Sequence, residues 1–371
     1  MGRETRLPPH ARRAMATDPA ADRLGSRPEL PSQATAAPGS TAEGQFETAP
    51  GAGASPWALA RRRLRRNRVA LAFGALFVLL VLVAVAAPLW ASEVAETTPS
   101  QNHLSDTIRV DGEEVNVVSL DGVPIGPTWG PKFFLGADGN GRDVMVRLLY
   151  GARNSLLVGI LATVITSVLA VVLGLLAGYF RGWVDGVISR ALDVVWAFPI
   201  LLIGVALGVS LAIGGLTLGP LAIRNNSIFI PILIIGVVLV VYLARPIRGQ
   251  VLSLREKEFV EAARAQGASD ARIMASEILP NLASTILVFF PLIVANAILF
   301  EAALSFLGAG VQPPNPSWGT MIADGLNELI SAPHLTIAPG LMLVLTVLSL
   351  NIFGEGVRDA LDPRAKIRLE S

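Results

Sequence analysis

The sequence predicts an all-α polytopic membrane protein of six transmembrane helices. Its 371 residues are 52% hydrophobic and 16% charged, with a mean hydropathy of +0.56, whereas soluble domains carry about a quarter charged residues. The apolar residues gather into runs long enough to cross a bilayer. Lysine and arginine concentrate on alternate connections between those runs.

Residues 1–57 are rich in Pro, Ala, Ser, Thr and Gly and show no apolar periodicity. Such a segment buries too little apolar area to offset its ordering entropy, so a disordered cytoplasmic tail is expected. Arg61, Arg62, Arg63, Arg65, Arg66 and Arg68 then precede an apolar run from Val69 to Trp90. At about 1.5 Å per residue the run reaches roughly 33 Å, enough for one span with its arginine end in the cytoplasm. The run is too long and too far from Met1 for a cleaved signal peptide.

The domain 58–154 therefore holds the first span and an extracytoplasmic segment. Thr107–Val110 and Val115–Val118 read as strands, with Asp-Gly turns at Asp111-Gly112 and Asp121-Gly122, and are expected to pair as a small hairpin.

Further spans are expected at about 155–178, 186–213, 228–244, 285–307 and 337–353. The short link 179–185 makes the second and third spans antiparallel neighbours. Pro199 removes a backbone donor inside the third and is expected to kink it.

With the N-terminus inside, the 245–284 loop is cytoplasmic and carries Arg245, Arg248, Arg255, Lys257, Arg264 and Arg272. The C-terminal tail 358–371 is also inside and carries Arg358, Arg364, Lys366 and Arg368. Residues 308–336 contain no lysine or arginine, and 214–227 contain only Arg224. Arg109, Lys132, Arg142, Arg147 and Arg153, in the long outer segment, run against this bias.

The 245–284 segment is polar between two apolar runs, so something other than lipid must cover it. Leu254–Ala265 contains good helix formers and no Pro or Gly, Gly267 permits a sharp turn, and Ser269-Asp270 caps a second short helix running toward Pro280. Phe259, Val260 and Ala263 form an apolar stripe beside Arg255, Glu256, Lys257 and Glu261. Such a helix lays one face in a groove on another protein or lies on the membrane surface.

Glu261-Ala262-Ala263, then Gly267, then Leu279-Pro280 resembles the EAA motif of the membrane subunits of bacterial ABC importers, with Glu277 where that motif prefers an aliphatic residue. Leu135-Gly136-Ala137-Asp138, Gly141-Arg142-Asp143 and Gly151-Ala152-Arg153-Asn154 resemble the dipeptide/oligopeptide/nickel branch, of DppC/OppC type, with Ala137 in place of its usual Thr. So do Glu301–Gly308, Val311–Gly319 and Leu361-Asp362-Pro363-Arg364. The resemblance covers about residues 60–365. It implies a permease domain over 155–357 in a heterodimer with a second permease subunit, docked to separate ATPase subunits and an extracytoplasmic solute-binding protein. It also implies that Glu261, Ala262, Ala263, Gly267, Leu279 and Pro280 couple ATP hydrolysis to transport of dipeptides or oligopeptides. Nickel or another small solute is the alternative cargo.

Glu301 stands inside the fifth span, where a charge must pair, neutralise or face water. It either lines the translocation path or holds the span against a neighbouring subunit. Asp138, Gly141, Arg142, Asp143, Pro313, Pro314 and Trp318 are candidates for an extracytoplasmic gate or docking loop, the prolines stiffening it and Trp318 suiting the membrane interface. Turn-making glycines and a rigid connector are the plainer readings of the same residues.

The chain lacks cysteine, and His10, His103 and His334 are isolated, so no metal or other cofactor is expected. Its lysines, Lys132, Lys257 and Lys366, do not follow glycine, so no phosphate-cradling loop exists and ATP must be hydrolysed elsewhere. No hydrolase motif appears, and no enzyme is expected. A net charge of +1 disfavours nucleic acid. An ion-coupled secondary transporter would place more ionisable groups at mid-membrane than Glu301 alone.

Overall fold

The computed structural model describes residues 56–362 apart from 111, 219 and 220. The expected tail before Pro56, the last nine residues with Pro363-Arg364, and Asp111 of the first Asp-Gly turn lie outside the described residues. Four helices are long and apolar enough to cross a membrane, and two bent pairs raise the candidates to six, matching the six expected.

The basic run is itself helical, as α1 (Pro56–Arg66). Asn67 breaks it from α2 (Arg68–Val85), accepting the Ala70 N–H on its side chain as an N-cap. The first span then runs on through Ala87–Leu89 and a π-turn at Trp90–Val94. Strands β1 (Thr107–Val110) and β2 (Glu113–Asn116) form the expected hairpin, but Val117 and Val118 fall outside it. Val118 instead bridges Pro124.

The central element is α3 (Val144–Phe180), 37 residues long. It starts well before the expected Ser155, because the Asp143 carboxylate caps it by accepting the Val146 N–H at 3.0 Å. Its glycines let neighbours approach the backbone. A Cβ on Gly159 would lie 2.4 Å from Ile298, on Gly174 2.6 Å from Ile247, and on Gly178 2.7 Å from Val251. Close approach through small residues is how helices pack tightly where lipid supplies no hydrophobic drive.

The third expected span is not one kinked helix. Helix α4 (Gly182–Ala197) ends at Phe198, and α5 (Ile200–Gly214) leaves at 86°. Pro199 supplies no N–H and drives Phe198 into extended backbone, which breaks the helix outright. Strands β3 (Leu216–Leu218) and β4 (Leu221–Ile223) follow.

Helices α6 (Phe229–Val238) and α7 (Val240–Leu254) meet at 40° and carry the fourth span ten residues beyond its expected end, so Arg245 and Arg248 are helical. Helix α8 (Glu258–Ala265) is correspondingly shorter than expected, because Leu254 belongs to α7. Helix α9 (Asp270–Phe306) runs straight through Pro280. The π-turn Ile273–Ile278 widens the backbone just before the residue that lacks a donor, so Pro280 does not close the polar segment. Helices α10 (Trp318–Gly325) and α11 (His334–Leu361) complete the chain. One core joins α3, α6, α7 and α9, and a second joins α2, α3, α9, α10 and α11.

Candidate functional site

The polar segment is anchored by four apolar side chains with no exposure at all: Val260 on α8 and Ile273, Ile278 and Leu282 on α9. Val260 thus turns into its own chain rather than joining an outward stripe. Glu258, Glu261, Ala262, Ala265 and Gln266 face outward, Phe259 is 38% exposed, Ala263 and Leu279 are half-buried, and Pro280 is exposed. Gly267 ends α8 in the left-handed region at φ +81°. Its N–H donates to Arg264 O at 3.0 Å and the Ala268 N–H donates to Ala263 O at 3.1 Å, the paired bonds that close a helix at a glycine. Ser269 then caps α9 by accepting the Arg272 N–H.

The segment is mounted on the Tyr179 end of α3. The Tyr179 hydroxyl donates to Asp270 Oδ1 at 2.5 Å, Arg264 Nη2 donates to the same hydroxyl at 3.5 Å, and the Arg255 guanidinium sits 5.7 Å above the ring. Arg255 also donates to the Tyr179 carbonyl, and Arg181 pairs with Glu256. The Arg181 guanidinium holds the Glu256 carboxyl below its ordinary range. Arg248 grips Asp185 with two bonds of 2.5 and 2.6 Å, joining α7 to α4. The arrangement presents charged side chains of both signs and small residues outward, on a base tied to α3, α4 and α7.

The opposite end of α3 carries a cluster of four charges. Buried Asp138 accepts from Arg142 Nε at 2.7 Å and lies 3.3 Å from Arg147 Nε, while Asp324 on α10 accepts from Arg142 at 3.2 Å and Arg147 at 3.0 Å. These residues line an open cavity of about 290 Å³. Lys132 pairs with Glu96 and Arg109 with Glu114, so four of the five basic residues that ran against the orientation bias are matched by carboxylates. Gly141, at φ +71°, lets the chain pass close to the His103 and Leu104 backbone, where a Cβ would come within 2.8 Å. Asp143 is buried, which pushes its carboxyl above the ordinary range, while the N–H groups of Val146 and Phe133 hold it down. Asp324 escaped sequence reasoning, and its acidity in a stretch without Lys or Arg was the only signal.

Glu301 is wholly buried inside this chain. It accepts from Ser155 Oγ of α3 at 2.7 Å and from Ser305 Oγ at 2.6 Å. Those hydroxyls accept in turn from the backbone N–H groups of Trp318 and Val311. Neither a path-facing nor a subunit-facing carboxylate fits this geometry, because the side chain is enclosed by its own hydroxyl partners. Trp318 is likewise buried rather than interfacial. The Ser317–Thr320 capping box turns the chain into α10 and brings the indole against Gly151. Pro313 and Pro314 stand exposed beyond it.

Residues 170–367 match the family described as binding-protein-dependent transport system inner membrane component, and residues 55–106 match the N-terminal TM domain of oligopeptide transport permease C. A dipeptide transport system permease protein DppC of Alkalihalophilus pseudofirmus is 38% identical, covering 84% of this chain and 91% of that protein. A glutathione transport system permease protein GsiD of Salmonella paratyphi A is 39% identical, covering 84% of this chain and 92% of that one. Among solved structures, an inward-facing conformation of the MetNI methionine ABC transporter superposes with a TM-score of 0.47 at 17% identity, covering 58% of this chain and 97% of that one. On the family match over residues 170–367 and the relatives 38% and 39% identical over 84% of its length, the chain belongs to the binding-protein-dependent transport system inner membrane components, the multi-pass permease subunits of ABC importers.

Proposed function

We propose that this permease imports small peptides, paired with a second permease and driven by ATPase subunits that dock on α8. The reading rests on the outward face of Glu258, Glu261, Ala262, Ala265 and Gln266, held on a base tied to α3, α4 and α7. Movement of a docked ATPase would reach the spans through that base, and no residue performs covalent chemistry. Both chain termini lie in the cytoplasm with α8, and the Asp138–Arg147 cluster faces the solute-binding protein, with Pro313 and Pro314 as rigid docking points. The peptide cargo is supported by the names of the dipeptide and glutathione permeases that resemble the chain.

Purification of the complex from its host tests the reading. The native chain is expected to bring an ATPase and a second permease with it, and to give ATP-dependent uptake of labelled dipeptides in vesicles. Gly267→Pro should insert normally yet abolish uptake, because proline is fixed at negative φ. Normal uptake by that variant would overturn the coupling role.

A further inference from the structure

We infer that α1 is a binding surface for the headgroups of anionic phospholipids. Its sequence, Pro56–Arg66, places Trp57, Ala60 and Leu64 along one side at helical spacing. Ala60 is buried and the helix rests against α11, whose last turn is tied to it by Arg63 Nη1 donating to Asp362 O at 2.8 Å. Arg61, Arg62, Arg65 and Arg66 are exposed, Arg62 and Arg66 on the other side and Arg61 and Arg65 along the flank, with Arg68 beyond the break.

Their density distinguishes them. Among the described residues none of these five arginines forms an ion pair, and no other described stretch of eight residues holds five basic side chains without one. Five unmatched positive charges within eight residues repel one another unless an anion covers them.

Lipid is the anion their position favours. Only Asn67 separates α1 from α2, the first span, so Arg65, Arg66 and Arg68 stand within about one helical turn of the depth at which the chain enters the bilayer, and Arg61 and Arg62 within about two. Trp57, half exposed at the start of α1, is the residue type that settles at the headgroup level. Arginine forks match phosphate oxygens in pairs, and a basic cluster beside a span gains attraction from each residue near an anionic surface.

The test uses the full chain in nanodiscs of phosphatidylcholine with and without phosphatidylglycerol, followed by extraction and mass spectrometry of the lipids retained. The native chain is expected to hold phosphatidylglycerol several-fold above its share of the bilayer. About 0.5 M NaCl, where the Debye length falls to roughly 4 Å, should remove that excess. Replacing Arg61, Arg62, Arg65 and Arg66 together by Gln should abolish it at an unchanged melting temperature, while the matching Lys variant keeps it. Arg63 is left in place because it bonds within the protein. Retention in proportion to the bilayer by the native chain would overturn the inference, and would indicate that another part of the protein or a partner covers the arginines. An excess indifferent to salt, or undiminished in the Gln variant, would overturn it equally.

Discussion

The Tyr179 hydroxyl and the Asp270 carboxylate meet at 2.5 Å, joining the last turn of α3 to the first turn of α9. Tyr179→Phe removes this bond and keeps the ring beneath Arg255. A hydrogen bond to a charged partner contributes about 1.5–3 kcal/mol. The variant complex is therefore expected to hydrolyse ATP while its uptake per ATP falls on the order of tenfold. Parallel ATPase and uptake assays in proteoliposomes give the ratio, and an unchanged ratio would show that Tyr179 transmits nothing.

Gly159 and Gly249 predict opposite outcomes. A Cβ on Gly159 meets Ile298 at 2.4 Å, so Gly159→Val forces α3 and α9 apart. Overpacking of this kind costs about 1–3 kcal/mol. Nothing lies within 4 Å of a Cβ on Gly249 in α7, so Gly249→Ala should be neutral or stabilise by up to about 1 kcal/mol. Thermal unfolding in detergent should rank Gly249→Ala at or above the native chain and Gly159→Val below it.

Glu301 separates a polar requirement from a charge requirement. Gln at this position still accepts from one serine, and the hydroxyls can rotate to meet its amide. Leu strands the Ser155 and Ser305 hydroxyls in the interior, at about 1–3 kcal/mol. Glu301→Gln is expected to express and melt close to the native chain, and Glu301→Leu to melt well below it. Equal melting of the two variants would mean that the hydroxyls find other partners.

The spans were legible because burial in lipid demands long apolar runs, and the glycine turn at 267 because a helix-forming run stopped at the one residue suited to positive φ. The surroundings of Glu301 were not legible, because they depend on a partner distant in sequence. The cost of burying Glu301 was evident, but its relief comes from Ser155, 146 positions away. Pro199 announced a bend and left its size open, since both a kink and a break satisfy a missing donor. The bend at Leu239 has no proline at all. Trp318 turned inward because Ser317 and Thr320 cap α10 reciprocally, a signature readable in Ser-x-x-Thr.

Asp324→Asn should loosen α10 without disturbing the polar segment at the other end of the molecule. Arg147 is 4% exposed, and the substitution leaves it Asp138 as its remaining carboxylate partner. Removing one side of such a contact exposes the cost of burying the other charge. Hydrogen–deuterium exchange is expected to rise across residues 318–325 and to stay constant across 258–265. Protection unchanged in both regions would show that Asp324 does not hold α10.

Helix α3 contains no proline over its 37 residues, whereas α7, α9 and α11 contain Pro246, Pro280 with Pro291, and Pro339. It behaves as a beam. At 1.5 Å per residue it is about 55 Å long against a hydrocarbon core of about 30 Å, so both ends project beyond the lipid. Arg147 is fixed near one end and Tyr179 near the other, roughly 48 Å apart along the axis. If the beam pivots at its middle, a tilt of about 5° moves each end by about 2 Å in opposite directions. Its two faces of contact are thereby linked as the ends of a see-saw, with stiffness in place of a chain of intermediates.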